Sequence, residues 1–164
     1  MTKSDIHELF QKTFRSQPPP TGDDLISKGA DTTASGRIRD LFSGRRWYEL
    51  DPEFVVDHAD AFWSMTPPGR RYYLPAFLLA TLHAPKDWVY ADNLILGLFL
   101  PLRGADDDPD REVFVRFLES LEPREKSAVR SFLEFVAAHH PSRGEQGAAK
   151  MALRVLWRKF DAAA

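Results

Sequence analysis

The sequence predicts an all-α protein, a single compact domain of about seven helices packed around a buried, proline-kinked central helix. Three observations carry that expectation. Apolar residues recur at three- and four-residue steps in segment after segment. No stretch alternates apolar and polar residues more strongly than these helical patterns, and no repeat of solenoid length occurs. Asp51-Pro52, Thr66-Pro67 and Pro123 stand at helical starts, where a capping side chain and a proline without an amide proton cost nothing.

The first element, Lys3 to Phe14, puts Ile6, Leu9, Phe10 and Phe14 on one face, with Ser4 and Asp5 available to cap it. Pro18, Pro19 and Pro20 then remove three successive amide donors and enforce an extended backbone. Residues 1–21 read as an N-terminal helix with a rigid proline-rich connector, and residues 22–164 as the core of the same domain. A polar, turn-rich stretch from Asp31 to Gly36 precedes a short helix carrying Ile38, Leu41 and Phe42, which ends at Gly44. From Pro52 to Trp63 one helix is expected, with Phe54, Val55, His58, Ala59, Phe62 and Trp63 as its inner stripe.

The central stretch is Thr66 to Leu82. It is apolar almost all the way round after its polar start, which marks a helix buried on most faces. Pro75 lies well inside it and cannot donate to the carbonyl of Arg71, at a cost of roughly 3 kcal/mol in a regular helix. A kink, or two helices meeting at Leu74-Pro75, is the expected outcome. Trp88 to Leu102 is a near-continuous apolar run that its length and neighbours assign to helix. Asp110 is expected to cap the next helix, with Val113, Phe114, Phe117, Leu118 and Leu121 inside. Pro123 opens another that stops at His139-His140-Pro141, and Glu145 to Phe160 repeats the pattern.

Composition narrows the function. The 164-residue chain is 43% hydrophobic and 28% charged, enough for one domain with a sizeable core. With 22 basic and 24 acidic side chains the net charge is −2, which gives no long-range attraction to nucleic acid or to a membrane surface. Having no cysteine, the chain excludes disulfides, thiolate nucleophiles and Cys-ligated metals. The N-terminus lacks the apolar core of a signal peptide and no apolar run is long enough to span a bilayer, so the expected location is cytoplasmic.

No catalytic residues, metal site or cofactor are expected. His7, His58, His83, His139 and His140 show none of the spacings that place two metal ligands on one helical face. Asp57-His58-x-Asp60 comes nearest to a constellation, but neighbouring side chains on a helix diverge by about 100° and do not converge on one ion. The acids Asp106, Asp107, Asp108 and Asp110 lack the alternation, glycine and terminal glutamate of a calcium loop and read as a solvated loop. Phosphate loops, nucleophile elbows and dinucleotide fingerprints are absent.

The unusual feature is a motif that occurs twice: Gly44-Arg45-Arg46-Trp47-Tyr48 and Gly69-Arg70-Arg71-Tyr72-Tyr73. Arginine pairs beside aromatic rings can stack on bases, hold a phosphate or grip an acidic partner through bidentate hydrogen bonds. Arg45, Arg46, Arg70, Arg71 and Tyr72 are therefore the expected partner-binding residues. A second expectation places a pocket at the Pro75 kink, lined by His58, Tyr72, Tyr73 and Pro75, where freed backbone carbonyls hold a small molecule.

The block Trp47 to Leu82 resembles a family of small bacterial proteins classed as a domain of unknown function. Trp47 and Leu50, then Thr66-Pro67, then Tyr72, Tyr73, Leu74, Pro75, Ala76, Phe77 and Leu78 carry the resemblance, which covers about a quarter of the chain. It implies no established activity, only a likeness in size and style to accessory and immunity-like proteins. The expected function is a non-enzymatic protein that binds another protein, as an adaptor, antitoxin or immunity-like factor. The alternative is an enzyme or small-ligand binder at Pro75, and the third reading, nucleic-acid binding, needs the two arginine pairs to share a face.

Overall fold

A computed structural model describes residues 1–27, 33–83, 89–103 and 108–160. Among them every regular element is helical: α1 (Lys3–Phe14), α2 (Thr33–Phe42), α3 (Pro52–Asp57), α4 (Ala61–Ser64), α5 (Pro67–Thr81), α6 (Val89–Gly97), α7 (Pro109–Ser120), α8 (Pro123–His139) and α9 (Arg143–Val155). Short 3-10 turns at Gly22–Asp24, Trp47–Glu49, Leu100–Arg103 and Trp157–Lys159 join them. None of these helices is long and apolar enough to cross a membrane.

Among the described residues nine α-helices replace the seven or so expected, chiefly because the segment from Pro52 divides. The chain leaves helical geometry at His58 (φ −123°, ψ 29°), and its backbone N–H bonds back to Val55 and Val56. α3 and α4 are thus two short helices around a turn at 58–60. The stretch Asp31 to Gly36 also departs from expectation, since Thr33 to Gly36 already form the first turn of α2. Residues 84–88 and 104–107, which include Pro85, Trp88, Asp106 and Asp107, lie outside the described residues.

α5 is the centre of the fold. Thr66 caps it by accepting from the Gly69 amide at 3.2 Å, Pro67 is its first residue, and Tyr72 to Thr81 are buried without interruption. The helix is continuous through Pro75, so of the two expected outcomes, a kink or two helices meeting at Leu74-Pro75, the second does not occur. Neighbours on many sides hold it: α1, α3, α4, α6 and α7 all pack against α5, and that burial outweighs one missing hydrogen bond. An aromatic chain runs across the contact, with Phe77 5.9 Å from Phe42 and 5.1 Å from Phe62 between ring centroids. Ile6, Phe10 and Phe14 of α1 join the same apolar cluster, and α9 closes it by packing on α8 and α6.

Caps fix the ends. Thr2 and Asp5 form a reciprocal capping box at α1, so of the two residues expected there Asp5 takes part and Thr2 stands in the place of Ser4. Asp108, not Asp110, caps α7, accepting from the Asp110 amide at 2.9 Å while Pro109 takes the first helical position. Glu122 and Glu125 form the box of α8, and Ser142 caps α9.

Candidate functional site

The two adjacent arginines at the start of α5 have opposite fates, because consecutive positions on a helix point about 100° apart. Arg71 faces α8. Its Nε donates to both oxygens of Glu125, at 2.9 and 3.2 Å, and its Nη2 donates to Glu125 and to Glu122. Glu125 is completely buried and also accepts from Gln17 at 2.5 Å and from the Glu122 amide at 2.7 Å. That carboxylate is fully satisfied, and it ties the α1 side of the molecule, α5 and α8 together.

Arg70 points the other way, towards α4, α6 and α7. Only 9% of it is exposed. Its Nε donates to the Met65 carbonyl at 3.0 Å, its Nη2 donates to the Trp63 carbonyl, and its guanidinium lies 5.5 Å from the Trp63 ring centroid. Among the described residues no carboxylate comes within ion-pair distance of it, although the field of Asp110 reaches it. Burial pulls its pKa below the ordinary arginine value, with Asp110 acting in the opposite sense.

Arg70 lines a cleft of about 370 Å³, shared with Trp63, Asn93, Leu96, Gly97, Leu100, Pro101, Asp108 and Asp110. Its apolar lining includes Leu100, a residue 45% exposed. Asp108 and Asp110, at the start of α7, add negative charge to the lining. The lining depends on Gly97. A Cβ there would lie 1.9 Å from Cη2 of Trp63, so only glycine lets the indole come this close to α6.

Two other depressions are larger and hold no charge that has been taken out of water. One of about 660 Å³ is lined by Asp51, Pro52, Glu53, Val56, Asp57 and His83, and its ionisable side chains are all exposed. Another, of about 410 Å³, includes Arg37, Asp57, His58 and Asp60. There the half-buried His58 ring bonds through Nδ1 to the Phe54 carbonyl at 2.7 Å.

The structure thus distributes the residues singled out from sequence. Arg45 and Arg46 are exposed. The guanidinium of Arg45 lies 4.5 Å from the Phe54 ring centroid and Arg46 pairs with Glu49 at 3.4 Å. Tyr72 and Tyr73 are buried, and burial raises the pKa of both. The single proton of the Tyr73 hydroxyl lies within reach of both the Phe42 and the Arg45 carbonyl, which anchors the turn after α2. Pro75 is buried in the core, and neither it nor the two tyrosines lines the cleft that contains His58. The two arginine pairs do not meet on one face: Arg70 turns inward and Arg71 is held by Glu122 and Glu125.

From sequence alone Trp63 reads as part of the core stripe and the acids of 106–110 as a solvated loop, while Asn93, Gly97 and Leu100 carry no functional signal. The Glu-Pro-x-Glu run at 122–125 signals a helix start, but nothing in it signals a pairing with Arg71. Nothing in the sequence separates Gly97 from a glycine at a simple helix end.

Residues 27–161 match the model of a family of unknown function, DUF6714. The chain belongs to this family. The matched span contains the block Trp47 to Leu82 on which the resemblance rests, and every residue of the Arg70 cleft. No curated protein and no solved structure matches the chain.

Proposed function

We propose that the protein is a non-enzymatic binding protein, an adaptor or immunity-like factor, and that it docks another protein through the Arg70 cleft. The observation that carries this reading is an arginine residue only 9% exposed, without an ion-pair partner among the described residues, in a cleft that the exposed Leu100 also lines. Burying an unpaired charge is costly, and a partner that supplies the missing charge and covers Leu100 recovers that cost on binding. Affinity capture with the full chain, read by mass spectrometry, tests it. A stoichiometric partner held by the wild type is expected to be lost with Leu100→Glu and retained with Arg45→Glu/Arg46→Glu. A partner that survives Leu100→Glu and is lost with the Arg45/Arg46 variant would move the contact to the exposed arginine pair and overturn the cleft as the docking site.

A further inference from the structure

We infer that the Arg70 cleft recognises the free C-terminal carboxylate of a partner chain whose last residue is apolar, with a basic residue upstream. This rests on the cleft being the docking site and specifies what occupies it. An arginine offers two hydrogen-bonding edges. The side-on edge of Arg70, formed by Nε and Nη2, is spent on the carbonyls of Met65 and Trp63. The end-on edge, one proton from each Nη, has no partner among the described residues, and its fork matches the two oxygens of a carboxylate. Those two carbonyls also hold the guanidinium in place, so a carboxylate meets a donor that is already oriented.

The rest of the cleft selects the bearer of that carboxylate. Trp63, Leu96, Leu100 and Pro101 line the same cleft as Arg70, so a ligand that fills it carries an apolar group close to its charge. A chain terminus does so on a single Cα, whereas an aspartate or glutamate side chain ends in its carboxylate and has no apolar branch to fill the cleft. Asn93 is exposed and supplies an amide that can pair with a peptide group. Asp108 and Asp110 line the same cleft, and their negative charge disfavours a phosphate dianion more than a singly charged carboxylate and favours a lysine or arginine a few residues before the terminus.

Fluorescence polarisation with the full chain tests this. The probe is the fluorescein-labelled hexapeptide Gly-Lys-Gly-Ser-Ala-Leu, prepared with a free C-terminus and as its C-terminal amide. The free acid is expected to bind at least about tenfold more tightly than the amide, and Leu100→Glu to abolish the difference. Arg70→Gln, after circular dichroism has verified its fold, is expected to bind acid and amide alike. The comparison of acid with amide on the wild type needs no variant, so a misfolded Arg70 variant does not blunt the test. Equal binding of acid and amide, lost with Leu100→Glu, would overturn carboxylate recognition and leave the cleft as a docking site. Failure of both peptides to bind would also overturn it, while the capture experiment decides the docking site separately. N-acetyl-leucine competing as well as the hexapeptide would assign the carboxylate to a small molecule and overturn the chain-terminus assignment.

Discussion

Replacing Arg71 by methionine should destabilise the fold by about 3 kcal/mol, and the structure sets that size. Removing one partner of a buried ion pair costs roughly 3–5 kcal/mol, because the remaining charge stays buried without compensation. Glu125 is fully buried, which argues for the full amount, whereas the Arg71 side chain is 24% exposed and already shares part of its charge with water. Glu125 also retains Gln17 and the Glu122 amide, so the low end of the range applies. Urea unfolding followed by circular dichroism measures the loss. With a slope of about 2 kcal/mol/M, the midpoint should fall by about 1.5 M. Glu125→Leu introduced together with Arg71→Met removes the stranded carboxylate and should recover about 2 kcal/mol as a coupling energy. A loss below about 1 kcal/mol for Arg71→Met, with no coupling to position 125, would refute the claim that this pair fastens α5 to α8.

Gly97→Ala drives a methyl group into Trp63; overpacking costs of about 1–3 kcal/mol against a helix-propensity gain of about 1 kcal/mol should leave the melting temperature about 2–4 °C lower, and an unchanged value by calorimetry would contradict the close approach. Tyr73→Phe leaves the Phe42 and Arg45 carbonyls without their hydroxyl donor and should cost about 1–2 kcal/mol in the same urea assay. Since burial raises the pKa of Tyr72 and Tyr73, their stabilisation is complete below the unfolded tyrosine value of about 10 and is lost as pH rises through the folded values; a urea midpoint that fails to drop between pH 9 and pH 11 would count against it. An added methyl group meets open space at both Gly44 and Gly36, yet Gly44 has φ +72° and Gly36 sits in α2, so Gly44→Ala should destabilise by about 1 kcal/mol in the urea assay while Gly36→Ala stabilises by up to about 1 kcal/mol.

Helix identity was legible because periodicity and caps are local. Asp51-Pro52 and Thr66-Pro67 mark their helices as expected, and α5 is buried as its composition requires. Two errors share one cause, the dominance of tertiary packing over propensity. Pro75 does not break α5, since the helices around it hold it in one piece, and the apolar stripe from Phe54 to Trp63 survives a turn at His58 that its spacing alone does not register. At the candidate site the Arg-Arg-Tyr-Tyr motif marks the right helix for a partly different reason. Its tyrosines serve the core, Arg71 serves Glu125, and only Arg70 opens on a cleft whose other walls come largely from residues 93–110. Such a juxtaposition across the chain has no local signature.

The decisive question about Arg70 is whether its charge or only its donors are needed. If the side chain merely satisfied the carbonyls of Met65 and Trp63, a neutral donor would do nearly as well and would avoid desolvating a cation. Glutamine places its amide nitrogen close to where the arginine Nε sits, so Arg70→Gln can keep the Met65 hydrogen bond while removing the charge and the end-on fork. A purely structural Arg70 predicts that this variant loses stability through the Trp63 carbonyl and leaves any binding by the cleft unchanged. A binding Arg70 predicts the reverse weighting: stability close to that of the wild type, because relief from desolvation offsets the lost bond, and loss of preference for a carboxylate. The contrast with Arg71 sharpens the inference. Consecutive positions on one helix send two guanidiniums in different directions; the carboxylates of Glu122 and Glu125 pair with one, and among the described residues no carboxylate pairs with the other, so a carboxylate brought by a ligand meets an unspent donor edge.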